Sequence, residues 1–280
     1  MKKSLTLIGL AAACSLAGVN AQIVYNTANS TYSQNFNTLT DSDLTAASVG
    51  NSSMLEVSSL SGGGSGNTGW YIYGIGTNTR WGRSSGSSST GSFYGMRDGS
   101  GNLALGSQGS GSNNGFFGAV FQNTTGGTLD SITITFDAVI NRNPATTVNP
   151  YNFSYLISSS SVNATTGATG AGTFNNGAGT WTSNSSLSFT TPSSGTGAPG
   201  TQAAINPMFT IGTYTATLSG TWNNNDYLYI RWSETDNSGA DATAGIDNFS
   251  LQAIPEPTTW ALLAGSLTAL VVFRRRRHVI

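Results

Sequence analysis

Between residues 22 and 253 the chain alternates apolar and polar positions with a period of two, in many short runs. In SITITFDAVI, the side chains of Ile132, Ile134 and Phe136 fall on one side and threonines fall on the other. The run DYLYIRW repeats this alternation at residues 226–232. Because successive side chains of a strand point to opposite faces, the pattern predicts half-buried β-strands.

Short apolar runs of the same kind recur along the whole segment, and Gly, Asn and Ser clusters separate them. These further candidate strands are 23–25, 70–75, 92–96, 102–105, 116–122, 151–158, 186–189, 214–218 and 245–251. Helical periodicity is confined to a possible short turn near SDLTAAS, residues 42–48. Many short strands joined by turn-forming residues predict an all-β sandwich or barrel.

Two Gly/Ser-rich stretches, 61–66 and 84–92, are open to two interpretations. They could be flexible linkers between domains. Aromatic residues flank both stretches, and no segment between them is long enough to have its own core. We therefore predict loops within a single sandwich domain at 22–253.

The N-terminal segment has the order of parts that is typical of a signal peptide. Lys2 and Lys3 precede a short apolar run, and small residues lead up to Ala21. This order predicts export and cleavage by signal peptidase after Ala21, with the signal peptide at 1–21. Cys14 leaves a second possibility, lipoprotein processing, because AAAC loosely resembles a lipobox.

Composition excludes several kinds of chemistry from the body of the chain. Cys14 is the one cysteine and His278 the one histidine, and both lie in the terminal segments. Thiol nucleophiles, Ser–His catalysis and histidine-based metal sites are thereby excluded from residues 22–253. Six of the 11 basic residues also lie in the terminal segments, leaving five arginines against eleven acids, a net charge of −6. Such a domain is not expected to bind nucleic acid.

The C-terminal tail, residues 254–280, combines three features in a fixed order. They are the motif Pro255, Glu256 and Pro257, the uncharged run 258–273, and the cluster Arg274, Arg275, Arg276 and Arg277. The run has 16 residues, a little short of the ~20 that a comfortable membrane span needs. Arginines that follow an apolar run stay in the cytoplasm. We predict a transmembrane helix at 258–273 with the domain outside.

This tail resembles the PEP-CTERM sorting signal of Gram-negative bacteria. The resemblance implies an exosortase, a membrane enzyme that cleaves near Pro-Glu-Pro and passes the protein to the cell surface or the extracellular polysaccharide matrix. Prolines suit such a site because they keep the segment extended and outside any helix. The tail would hold the protein in the inner membrane transiently, and Glu256 would serve recognition and not catalysis.

The body resembles secreted β-sandwich modules of the jelly-roll or concanavalin-like kind. The resemblance rests on YSQNFNTL at residues 32–39 and on the closing run that ends in IDNFSL at residue 251. It implies one jelly-roll or concanavalin-like sandwich between the signal peptide and the transmembrane helix, with the first and last strands side by side.

Oxygen-bearing side chains are concentrated near the end of the body. They are Glu234, Asp236, Asn237, Asp241 and Asp247. Oxygen ligands from a Gly-containing loop suit calcium, so Asp236, Asp241 and Asp247 are candidate ligands of a structural calcium, and no other cofactor is indicated. The resemblance to jelly rolls adds Asn35 or Asn37 as a partner of Asp247. The alternative is a solvated acidic loop.

Two further interpretations concern sugars. Trp70, Tyr73 and Trp81 could stack on sugar rings, or they could be core residues of a sandwich with few aliphatic side chains. A glycosidase would need two carboxyl groups roughly 5–10 Å apart, one of them buried, and on a continuing strand Glu234 and Asp236 would point to the same face. Nothing beside them in the sequence indicates a catalytic cleft.

Three functions follow, in order of preference. The first is a non-enzymatic, exported surface or matrix protein, structural or associated with exopolysaccharide. The second is a carbohydrate-binding module, and the third is a secreted glycoside-active enzyme.

Overall fold

The computed structural model describes residues 22–50, 54–75, 79–111, 115–144, 148–159, 180–193, 205, 207–234, 236–237 and 240–255. The described chain is all-β, with sixteen strands in two sheets. The first eight strands are β1 (Ile23–Tyr25), β2 (Thr31–Gln34), β3 (Leu44–Gly50), β4 (Met54–Glu56), β5 (Trp70–Gly74), β6 (Thr79–Ser84), β7 (Ser92–Arg97) and β8 (Leu103–Gln108). The others are β9 (Gly115–Asn123), β10 (Ser131–Arg142), β11 (Pro150–Ser158), β12 (Thr182–Ser183), β13 (Phe189–Thr190), β14 (Phe209–Leu218), β15 (Tyr227–Glu234) and β16 (Thr243–Ile254).

Each sheet has eight strands. Sheet I has the order β12-β11-β15-β9-β5-β4, with β1 also on β9 and β13 also on β11. Sheet II has the order β14-β10-β16-β8-β7-β6-β3, with β2 also on β16. The pairs β1–β9 and β6–β7 are parallel, and the other pairs are antiparallel. The last strand of the sequence, β16, therefore lies in the middle of sheet II.

A continuous aromatic core joins the two sheets. Trp232 of sheet I packs edge-on against Phe136 and Phe249 of sheet II, with ring centroids 5.0 and 6.3 Å apart. Trp70 of sheet I likewise meets Phe249 at 5.1 Å. Edge-to-face pairs of this kind add to the stabilisation from buried area. The arrangement confirms a two-sheet, all-β fold consistent with a sandwich.

The alternation in the sequence predicted correctly which faces are inside. Ile132, Ile134 and Phe136 of β10 are fully buried, as are Leu228 and the other inward positions of β15. The predicted strands β5, β7, β8 and β9 also form, with bounds that shift by one to three residues.

Two local predictions are wrong. The possible helical turn at 42–48 falls largely in strand β3, which pairs with β6, so tertiary pairing overrides the weak local preference of its alanines. The predicted strand at 186–189 begins instead as the 3-10 helix Ser185–Leu187. Its N-cap residue Asn184 accepts a hydrogen bond from the Ser186 N–H at 3.0 Å, which satisfies a backbone donor locally.

Sheet I is also covered on its outer face, which alternation alone did not predict. A second buried cluster lies there, formed by Tyr71, Tyr73, Phe116, Val120, Leu156 and Tyr229. Strands β5 and β9 are consequently buried on both faces along almost their whole length.

Candidate functional site

The C-terminal tail leaves the domain directly from the end of β16. The Asp130 N–H donates to the Ile254 carbonyl at 3.1 Å, the last backbone hydrogen bond of that strand. Ala253 is buried, whereas Ile254 is 38% exposed and Pro255 is exposed. Pro255, the first residue of the predicted sorting motif, is therefore exposed to solvent immediately beyond a strand in the middle of a sheet.

Tyr25 ties the start of the described chain to this exit. Its hydroxyl accepts a hydrogen bond from the Ala253 N–H at 2.9 Å and lies 2.6 Å from the Ser30 carbonyl, to which it donates. The Asn29 N–H donates to the Ala253 carbonyl at 2.9 Å. The segment that follows the predicted signal peptide and the segment that precedes the tail are thus joined at one place.

The other residues of the predicted signal-peptide cleavage site and sorting signal lie outside the described residues. This applies to Ala21, to Glu256 and Pro257, to the run 258–273 and to the cluster 274–277. Within the described part of the chain, no helix has the length and apolar character needed to cross a membrane.

Glu234 ends β15 as a buried carboxyl group, 5% exposed. Its Oε2 atom accepts a hydrogen bond from the Ser107 hydroxyl at 2.8 Å, and its Oε1 atom has no hydrogen-bond partner. Burial raises the pKa of Glu234 to about 8, although the Gly109 amide and the Ser107 hydroxyl act in the opposite direction. The negative charge of Asp241 raises it further.

Asp241 is close enough to Glu234 to affect its pKa, and it has its own hydrogen-bond partners. It is 3% exposed, and its Oδ1 atom accepts a hydrogen bond from the Asn149 side-chain amide at 2.6 Å. The Asn149 side-chain carbonyl in turn accepts from the Ala242 N–H at 3.1 Å. Burial raises the pKa of Asp241, the Asn149 amide lowers it, and the carboxyl group of Asp236 raises it.

Asp247 has a different set of neighbours. It is 2% exposed, stands opposite Asp137 in the sheet, and accepts the Asn248 N–H at 2.6 Å. Burial raises the pKa of Asp247 to about 6, and the charges of Asp137 and Asp98 add to the rise. The hydrogen bonds from Asn248 and Asn102 lower it.

The three candidate calcium ligands therefore do not converge. Asp236 and Asp241 interact with each other, while Asp247 interacts with Asp137 and Asp98. Asp241 precedes β16, and Asp247 is the fifth residue of that strand, so the extended backbone from Thr243 to Asp247 alone covers about 13 Å. Among the described residues no group of three or more His, Cys, Asp or Glu side chains is placed to hold a metal ion. A structural calcium stays a prediction without a ligand set.

The three candidate sugar-stacking rings lie inside the protein. Trp70 is 0% exposed, packs against Phe36 at 4.8 Å, and donates its indole N–H to the Tyr32 hydroxyl at 3.0 Å. Trp81 is 1% exposed and Tyr73 is 3% exposed. This corrects their interpretation as a glycan platform, because the rings as placed offer no face to a sugar. The core interpretation holds.

The positions of Glu234 and Asp236 do not support a glycosidase. Glu234 is enclosed in the core, whereas Asp236 is exposed. Two surface cavities, of about 370 and 590 Å³, lie elsewhere, and their linings hold one carboxylate, Asp226. A glycosidase requires two carboxyl groups flanking the bond that breaks.

Sequence reasoning did not predict that three arginines, Arg83, Arg142 and Arg231, are buried, and Arg231 is held between two aromatic rings. The guanidinium of Arg231 lies between the rings of Phe116 and Trp181, 3.9 and 3.7 Å from their centroids. Its Nε atom donates to the Ser154 hydroxyl at 3.0 Å, and burial lowers the pKa of Arg231 to about 10. Ring faces attract cations. The alternation of β15 places Arg231 on the face away from the core, together with two tyrosines. That pattern could have indicated an arginine packed among aromatic rings.

Comparison with known proteins adds no relative. No protein-family model matches the chain, and no curated protein matches it significantly. The function is therefore argued from the residues themselves.

Proposed function

We propose that the chain is an exported cell-surface or extracellular-matrix protein of a Gram-negative bacterium, sorted and cleaved by an exosortase. The observation that carries the proposal is the order of the tail, in which Pro-Glu-Pro, an uncharged run and four arginines directly follow the last strand. The exposed position of Pro255 supports it, because a protease must reach an extended, accessible segment.

In this proposal the body is a structural or exopolysaccharide-associated module and not an enzyme. The buried positions of Trp70 and Trp81 favour this role over sugar binding through those rings. A jelly-roll or concanavalin-like topology is the finer form of the fold that we propose. After signal peptidase has acted, the helix at 258–273 would hold the domain at the outer face of the inner membrane until the tail is removed.

Alanine replacement of Pro255, Glu256 and Pro257 tests the proposal. The variant is expected to stay full-length in the inner membrane, because the extended recognition segment is lost. Immunoblotting of membrane, surface and medium fractions in an exosortase-containing host measures this. Thr258→Ala with Thr259→Ala is the matched control and is expected to be processed normally. Normal processing of the triple variant would show that the motif does not direct sorting.

A further inference from the structure

Strand β14 forms one edge of sheet II, and the 3-10 helix Ser185–Leu187 packs close to it. It pairs with β10 over nine positions, from Ile132 opposite Leu218 to Ile140 opposite Phe209. No second strand pairs with it among the residues that the structure describes. Its outward side chains Thr210, Thr213, Thr215 and Thr217 are exposed. Among the described residues, the backbone N–H and C=O groups on the side of β14 away from β10 therefore have no strand partner, as at other sheet edges that can accept a further strand.

The other sheet edges carry features that discourage such pairing. In sheet I, β12 has two residues, and β4 has three and ends in the acidic Glu56. In sheet II, β3 pairs irregularly, with two register shifts against β6. Short, charged or irregular edges are the usual protection against edge-to-edge association. By contrast, β14 has ten residues, and its pairing is regular from Thr213 to Leu218.

The composition of β14 favours pairing with a strand like itself. Its sequence, FTIGTYTATL, contains no charged residue and no proline. Thr217 and Thr215 already form hydroxyl–hydroxyl pairs with Thr133 and Thr135 of β10, at 3.1 and 3.0 Å. Cross-strand threonine pairs of this kind stabilise antiparallel sheets.

We propose that β14 pairs antiparallel with β14 of a second copy of this chain, so that two copies of sheet II join into one continuous sheet. In a pair centred on Thr215, the Thr215 residues of the two copies stand opposite each other, and Thr213 of each copy stands opposite Thr217 of the other. Every exposed threonine of the regular segment therefore meets a threonine of the second copy. Tyr214 then stands opposite Ala216, and both face the core side. Matching of faces is what fixes strand register. The interface is two-fold symmetric.

Charge does not oppose this pairing. The nearest carboxylate on that face is Asp137 of β10, which accepts a hydrogen bond from the Thr213 hydroxyl at 2.5 Å. Two copies of β10 would lie three strand spacings apart, about 14 Å, and salt screens charges at that separation. The association is independent of how the tail is processed, so either proposal can fail without the other.

Disulfide trapping tests the register directly. In a Cys14→Ser background, which removes the chain's one cysteine, Thr215→Cys places two cysteines opposite each other. Directly opposed residues of antiparallel strands have Cα atoms about 4.5–5.5 Å apart, within disulfide range. The full chain is expected to run mainly as a disulfide-linked dimer on a non-reducing gel. Thr133→Cys, on the same face but one strand inward, is the control and is expected to stay monomeric. Equal cross-linking of both variants, or of neither, would overturn the proposal.

A charge on the edge provides a second test that needs no cysteine. Thr215→Lys places two like charges opposite each other and is expected to weaken dimerisation at least about tenfold. Sedimentation of the full chain in a mild non-ionic detergent measures this, and circular dichroism checks the fold. Thr133→Lys is expected to keep the wild-type association. If both lysine variants associate like the wild type, copies meet elsewhere, for example through the tail, and the proposal is wrong.

Discussion

Replacing Trp232 by alanine is expected to lower the free energy of unfolding by about 3–5 kcal/mol. The side chain is fully buried and stacks on Phe117 at 5.8 Å, with Phe136 and Phe153 edge-on at 5.0 and 5.1 Å. Its removal leaves a cavity at the centre of the core, which the surrounding rings fill only in part. Urea or thermal unfolding followed by circular dichroism measures the loss.

Trp232→Phe separates the ring from its hydrogen bond. The indole N–H donates to the carbonyl of Leu187, the last residue of the 3-10 helix, at 3.1 Å. Phenylalanine keeps most of the volume and loses this donor, so we expect a smaller loss, about 1–3 kcal/mol. An alanine variant within about 1 kcal/mol of the wild type would show that the core does not depend on this residue.

The second large effect concerns pH and Glu234. The unfolded carboxyl group titrates near 4.5, and the folded group near 8, because it is buried. Between these values unfolding releases a proton, so the free energy of unfolding falls as pH rises from 4.5 to 8 and levels off above. The expected fall is on the order of a few kcal/mol. The raised pKa values of Asp241 and Asp247 act in the same direction.

Glu234→Gln removes the titrating group and keeps its shape. The variant is expected to be more stable than the wild type at pH 8 and to show a flatter profile, since no buried carboxyl must ionise. Chemical unfolding at a series of pH values from 4 to 9 measures both. Asp130→Asn, an acid-to-amide change outside the Glu234 cluster, is the control and should keep the wild-type slope. An unchanged profile for Glu234→Gln would mean that other groups set the pH dependence.

How much of this fold was predictable depends on what each residue pattern encodes. The period-two alternation of β10 and β15 specifies which side faces the core, and that side was predicted correctly for both strands, whereas the other side of β15 is also largely buried. Local pattern carries no information about which distant strand lies alongside, so the strand order of both sheets required the structure. The outer layer of sheet I was missed because its tyrosines look polar in sequence, although they bury most of their rings.

The candidate site divides in the same way. The proposed sorting motif is linear, so it can be recognised in the sequence without the fold. The calcium site stays a prediction, but its three candidate ligands, which are neighbours in sequence, have different neighbours in space. Asp241 precedes β16 and Asp247 lies within it, and an extended strand carries such residues apart. Conversely, Glu234 and Ser107 lie far apart in the chain and meet across the two sheets.

The central position of β16 has a consequence for the order of folding. Residues 243–254 are the last strand to be synthesised, yet they separate β10 from β2 and β8. Until they emerge, the other strands of sheet II form three unconnected groups, namely β14 with β10, β8 with β7, β6 and β3, and β2 alone. Most native contacts of β16 span a long stretch of chain. High contact order of this kind slows folding and leaves strand edges exposed to aggregation. We therefore expect sheet II to assemble late in folding, once β16 can join its parts.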